Sequence, residues 1–158
     1  MMGLCDNCIY IKIILNILVM KKEVYSRLKD SLSGRQEIDF AYIFGSFVKS
    51  DHYHDIDVAV HLEKNFNPDD YKKFPYGYES NLIADISALL RNDKIDLVII
   101  NKAGILIQQR IINTGVLLFE RNKYKRISYE NYIRRLYIDA EPLRKIKMFY
   151  LKRHLNNA

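Results

Sequence analysis

The sequence predicts an α/β fold of about four strands with flanking helices and a C-terminal helix. Three observations carry this. Apolar, β-branched and aromatic runs occupy residues 38–44, 55–62, 96–100 and 116–119. Segments with apolar residues at helical spacing separate most of them. The chain has 158 residues with 49% hydrophobic content, enough for one buried core and too apolar for a disordered chain.

Residues 21–32 place Val24, Leu28 and Leu32 at four-residue spacing among charges, so a helix is expected there, closed by Ser33-Gly34. Residues 38–44 read as a buried strand, Gly45-Ser46 as a turn and 47–50 as one short helical turn. The second strand spans 55–62. Residues 65–77 hold two of the chain's three prolines and form a loop. Leu82, Ile83, Ile86, Leu89 and Leu90 make 78–91 a helix, and Asn92-Asp93-Lys94 is a turn into the third strand. Residues 104–113 are helical, and 116–119 form a short fourth strand at the sheet edge. From Ser128, with Glu130 and Asn131 in its first turn, a long helix runs to about Leu151, interrupted near Pro142.

Residues 9–19 are apolar apart from Lys12 and Asn16. The run is shorter than the roughly 20 residues a membrane span requires, and it lacks the basic start and cleavage site of a secretory signal. Residues 1–19 are expected to be an N-terminal extension, with Met20 as a natural start, or else a packed helix. Residues 20–120 form the domain proper, and 121–158 a basic helical tail packed on it. Cys5 and Cys8 form a C-x-x-C, but no other cysteine exists to complete a zinc site. Two cysteines in all argue against a disulfide scaffold and for the cytoplasm.

The net charge of +6 and pI near 9.2 favour an anionic partner: a nucleotide, nucleic acid or an acidic protein. The excess lies in the tail, at Arg121, Lys123, Lys125, Arg126, Arg134, Arg135, Arg144, Lys145, Lys147, Lys152 and Arg153. A solvated helix face explains the same residues.

Chemistry is legible around residues 41–60. An apolar run breaks at Gly45-Ser46, eight residues follow, and Asp55 and Asp57 then alternate with Ile56 and Val58. Side chains two apart in a strand share a face, so the acids stand together while Ile56 and Val58 enter the core. Adjacent carboxylates repel unless a cation lies between them, and hard oxygen ligands of this kind suit Mg²⁺ with substrate phosphates. Asp96 heads the third strand; if the two strands are neighbours, three carboxylates meet at one edge. Such a cluster fits two-metal phosphoryl or nucleotidyl transfer. Gly45 lets the backbone approach a phosphate, Ser46 offers a hydroxyl and an N–H, and Lys49 offers charge one turn on. The plainer alternative is a set of strand-end acids. His52 and His54 precede the acids and read as exposed loop residues. Tyr76 and Tyr78 form a packed loop or a place for a base to stack, and Lys102 lies just beyond the third strand.

Gly45-Ser46, Asp55-x-Asp57 and Asp96 resemble the signature of the DNA polymerase β-like nucleotidyltransferase superfamily. The short chain resembles its minimal nucleotidyltransferases, the antitoxin partners of HEPN-domain RNase toxins. The resemblance covers residues 38–120, including a closing strand at 115–119. It implies a mixed sheet, ATP as cosubstrate, two Mg²⁺ ions, and transfer of AMP to a hydroxyl, a tyrosine of the toxin in the best-studied pairs. It also implies that Gly45 and Ser46 hold the triphosphate, that Asp55 and Asp57 bind both metals, and that Asp96 binds the catalytic metal and takes the attacking hydroxyl's proton. Lys49 stands where the family commonly has Arg. The loop between Gly-Ser and the first acid is shorter than usual, and Ser50 replaces a small Gly. Two other readings are a non-catalytic binding antitoxin and a nucleotidyltransferase with a small-molecule acceptor. The short basic segment after Glu120 disfavours the latter. No membrane partner is expected, and direct binding of nucleic acid is the less expected use of the basic tail.

Overall fold

Seven consecutive buried residues form β1 (Ile38–Phe44), and a strand buried on both faces belongs inside a sheet covered on both sides. In the computed structural model, which describes residues 6–51 and 53–156 and the side-chain environments of 18–51 and 53–153, β1 is indeed central. The sheet order is β3-β2-β1-β4, with β2 at Ile56–Leu62, β3 at Ile95–Ile99 and β4 at Val116–Glu120. β1 runs antiparallel to β2 and to β4, while β2 and β3 are parallel. A parallel pair needs a crossover, and α3 (Tyr78–Leu90) supplies it.

The two faces of the sheet carry different helices. Ile38, Ala41, Ile43, Val58, Val60 and Leu97 pack under α1 (Asp6–Ser33) and α3, which contribute Leu28, Leu32, Tyr78, Leu82 and Ile86. Phe40, Tyr42, Phe44 and Ala59 face the other way, toward Ile111 of α4 (Ile105–Thr114) and Tyr129 of α5 (Lys123–Asp139). A four-residue helix, α2 (Ser46–Lys49), follows β1, and α6 (Glu141–Asn156) ends the description. No helix among the described residues is long and apolar enough to cross a membrane.

Most boundaries shift by a residue or so from expectation, β3 for example starting at Ile95, and three bear on the site or the tail. The first helix begins at Asp6 rather than Lys21, so most of the expected extension continues the same helix; Cys5 lies outside the described residues. The second strand starts at Ile56, leaving Asp55 just ahead of it. The C-terminal helix starts at Lys123, not Ser128, because the Asn122 side chain accepts the Lys125 N–H at 3.1 Å and caps it. A first turn of Lys123, Lys125 and Arg126 opposes the helix dipole and carries no apolar period, which hides the start. Tertiary contacts offset that cost: Lys125 Nζ lies 2.7 Å from Asp39 and Arg126 Nε 2.6 Å from Glu120. The break near Pro142 falls at Ala140, and Pro142 sits in the first turn of α6, where its missing N–H is not needed.

The second face is held by a polar cluster. Buried Glu130 accepts hydrogen bonds from the Tyr42 hydroxyl and Arg126, and from Arg134 at 3.1 Å. Burial and the Glu130 hydrogen bond push the Tyr42 hydroxyl well above its ordinary value, while Arg126 and Tyr42 help hold the Glu130 carboxyl below its own against the effect of burial. Removing one member of a buried charged set leaves the others without compensation. Glu130→Ala is therefore expected to cost about 3 kcal/mol and lower the thermal midpoint by roughly 10 °C, read by calorimetry. An unchanged midpoint would show that the cluster does not hold α5 on the sheet.

Candidate active site

β1 ends at Phe44, opposite Asp57 of β2 in the antiparallel register. The chain then turns at Gly45, whose φ of +76° suits glycine alone among ordinary residues. The turn also brings the backbone against the acids: a Cβ built on Gly45 would lie 1.8 Å from Asp57 Oδ2. Gly45 is thus required twice, by its dihedral angle and by the carboxylate beside it. Ser46 opens α2, with its hydroxyl donating to Asp55 Oδ1 at 3.3 Å and its backbone N–H bonded to Asp57.

On the other side of β2, the parallel register sets Asp57 directly beside Asp96. Both lie on the face that also carries Ala59 and Val98, and Asp55 precedes Asp57 by two residues. Ile56 and Val58, on the opposite face, are fully buried. The three carboxylates therefore gather at one edge: Asp96 is exposed, and Asp55 and Asp57 are half-buried. An open groove of about 360 Å³ runs along it, lined by His54, Asp55, Lys94, Ile95 and Asp96. Burial raises the Asp57 carboxyl above its ordinary value, and the charges of Asp55 and Asp96 push the same way; Arg110 and the Ser46 N–H oppose them.

Such a cluster is electrostatically incomplete, and its donors are hard oxygens. Among the described residues no group of three or more His, Cys, Asp or Glu side chains closes around a metal position. Mg²⁺ does not require one, since it commonly takes one or two carboxylates and completes its shell with water and substrate phosphates. The residues present fit that ion.

Lys49 ends α2 and is exposed. The cation whose field reaches Asp57 is instead Arg110 of α4. Spacing gave no hint of this, because Arg110 is distant in sequence and joins the edge only through the packing of Ile111 on the second face. Lys21 is a second residue that the motif does not reveal. Its Nζ donates to the Ser50 carbonyl at 2.8 Å and to Asp51 at 3.0 Å, and lies over the Phe47 ring. Phe47 is fully buried and meets Tyr53 edge-on at 4.6 Å. The short loop between Ser46 and Asp55 is thereby pinned to α1. His52 lies outside the described residues, and His54 is exposed.

Two side chains considered from the sequence lie elsewhere. Tyr78 is buried, packs against Phe66 and Phe74 and donates to Glu37 at 2.8 Å, so it is core and offers no stacking face. Lys102 follows the far end of β3 from Asp96 and pairs with Asp69 at 2.6 Å.

A mixed four-stranded sheet with a Gly-Ser turn and acids on adjoining strands is the arrangement that the resemblance of the sequence motif implies. Residues 26–124 match the family "Polymerase beta, Nucleotidyltransferase", and the chain belongs to that family. No match is found among curated proteins. Among solved structures, the fold resembles a chain of a toxin–antitoxin complex with AMP-PNP (TM-score 0.66, 16% identity, covering 80% of this chain and 97% of that one). It also resembles a chain of the complex of tri-AMPylated Shewanella oneidensis HEPN toxin with MNT antitoxin (TM-score 0.61, 17% identity, covering 85% of this chain and 98% of that one). A third likeness is to a chain of the MntA-HepT toxin–antitoxin (0.58, 16%, 85% and 97%).

The contact between Gly45 and Asp57 makes a checkable statement about the site. Gly45→Ala is expected to destabilise the protein by about 2 kcal/mol or more through strain and overlap. In a double-mutant cycle, combining it with Asp57→Ala is expected to recover part of that loss, because the overlap is removed while the strain remains. Strict additivity in denaturant titrations would place Asp57 away from Gly45.

Proposed function

We propose that this chain transfers AMP from ATP to a hydroxyl of a partner HEPN-type RNase toxin, a tyrosine by preference, and acts as its antitoxin. The observation that carries the proposal is the register that sets Asp57 beside Asp96 at the edge where Gly45 and Ser46 turn. Membership of the nucleotidyltransferase family supports the reaction type. The similar complexes, one with AMP-PNP and one with a tri-AMPylated HEPN toxin, support the cosubstrate and the acceptor.

In this reading Gly45 and Ser46 cradle the triphosphate: the glycine admits the phosphate to the backbone, and Ser46 turns its hydroxyl from Asp55 to a phosphate oxygen. Asp55, Asp57 and Asp96 hold two Mg²⁺ ions, which supply charge neutralisation and alignment of the phosphates when bound. Asp96, the most exposed of the three acids, accepts the proton of the attacking hydroxyl. The acceptor oxygen bonds to the α-phosphorus, the bond from that phosphorus to the bridging oxygen breaks, and pyrophosphate leaves. Lys49 and Arg110 flank the triphosphate and offset its charge. Residues 20–120 are the catalytic domain, and 121–158 the basic tail. The pinning of the shortened loop by Lys21 supports a preserved site, since a tethered loop keeps Ser46 and Asp55 in hydrogen-bond contact.

The test is incubation of the full chain with α-phosphate-labelled ATP, Mg²⁺ and the protein encoded by the neighbouring gene as the candidate acceptor. Label is expected on the partner, reduced roughly 100-fold or more in Asp55→Asn and Asp57→Asn. Toxin neutralisation that persists unchanged in both variants would overturn catalysis in favour of simple binding.

A further inference from the structure

The last helix is the least accounted for part of the fold. α6 touches the rest of the described protein chiefly through α5, yet it exposes its large apolar side chains. Leu143 is 71% exposed and Phe149 63%, and Ile146, Met148, Tyr150 and Leu151 are each about half exposed or more. Interspersed with them are Arg144, Lys145, Lys147, Lys152 and Arg153, against the single acid Glu141. An apolar surface of this size on a small domain marks a contact site.

The arrangement selects the occupant. At 3.6 residues per turn, Leu143, Ile146 and Tyr150 follow one stripe, while Met148 and Leu151 lie on other sides of the helix. A helix lying in a lipid surface segregates its apolar residues to one face, and this one does not. A second copy of the same helix would set five cations against five. What fits is a protein groove that reaches around the helix and carries acidic residues between its apolar pockets. A second observation points to acids. Between α5 and α6 a groove of about 630 Å³ is lined by Tyr137, Arg144, Met148 and Phe149 with Lys145, Lys152 and one acid, Glu141, which is paired with Lys145 at 2.7 Å. There the Arg144 guanidinium stacks 3.8 Å from the Tyr137 ring centre, and its Nη1 is shielded without a hydrogen-bond acceptor. A buried guanidinium nitrogen lacking an acceptor is costly, and a carboxylate brought by a partner would relieve it.

We infer that α6 is the docking element for the acceptor protein, seated in an acidic, apolar-lined groove of that protein. The inference rests on the proposed function for the partner's identity. Docking on a helix outside the catalytic sheet separates partner choice from chemistry: α6 holds the acceptor, and the acid edge acts on it.

The experiment uses the full chain carrying Ile146→Asp with Phe149→Asp, and separately Lys147→Glu with Lys152→Glu. All four residues are exposed, so both variants are expected to keep the wild-type thermal midpoint. Binding of the same candidate acceptor, the protein encoded by the neighbouring gene, is measured by calorimetry, and its labelling is measured in parallel. The apolar variant is expected to bind at least tenfold more weakly, and its labelling to fall through a raised KM with kcat retained. The charge variant is expected to bind more weakly and to lose most of the salt dependence shown by the wild type. Wild-type labelling with unchanged binding in both variants would overturn the docking site and leave the proposed function standing. A partner that binds through α6 but is never labelled would do the reverse. Three further results would each overturn the inference: no binding of the partner by the wild type, a wild-type dimer dissolved by the apolar variant with partner binding intact, or phosphatidylglycerol vesicles bound only by the wild type with partner binding intact.

Discussion

The parallel pairing of β2 with β3 is the constraint on which the candidate site depends. Asp57 pairs with Asp96 across it, and a slip of one residue would send one of the two into the opposite core. That slip is strongly opposed, because Val58, Val60 and Leu97 would leave the layer they form with α1 and α3. Burial of apolar residues on one face thus enforces the gathering of like charges on the other. Burial, joined by the charges of Asp55 and Asp96, raises the Asp57 carboxyl, so the ionised site is a place where folding is opposed rather than helped. Perturbed groups of this kind concentrate at functional sites.

Two tethers keep the surroundings of that edge in place. Glu130, with Tyr42, Arg126 and Arg134, ties α5 to β1. Gln108 extends the tie to α4 by accepting from the Tyr129 hydroxyl at 2.8 Å, which helps place Arg110. On the other side Lys21 reaches from α1 to the loop before Asp55. The same division recurs at the C-terminus: α5 is bound by ion pairs into the fold, while α6 beyond Ala140 is joined mainly to α5 and presents its apolar residues outward. The contrast between these two adjacent helices separates a structural element from a contact element.

Much of this was legible in the sequence. Residues 38–44 read as a strand because every position is apolar or aromatic except Asp39, and β1 spans the same residues. The alternation from Asp55 to Val60 gave the facing of Ile56 and Val58, because the period of a strand is two. What the sequence hid was long-range. The α5 start at Lys123 is set by an Asn122 cap and by ion pairs to Asp39 and Glu120, in a turn whose basic residues disfavour a helix start. Arg110 and Lys21 reach the site edge and its loop across tertiary contacts that no local spacing encodes. Lys49 was suggested by proximity in sequence, and it stands exposed at the end of α2, the helix that Ser46 opens.

The central claim is that three mutually repelling carboxylates form a cation site. The measurement that tests it most directly is the thermal midpoint of wild type and Asp57→Asn, with and without Mg²⁺ and ATP. Because the folded-state value of Asp57 lies above its ordinary one, its ionised form costs stability at neutral pH, and the cost fades as pH falls through the interval between the two values. Without ions, Asp57→Asn should therefore be the more stable protein at neutral pH, with the advantage disappearing in acid. With Mg²⁺ and ATP the wild type should gain several degrees and the variant little. A wild type indifferent to the ion, or a variant no more stable without it, would contradict the account.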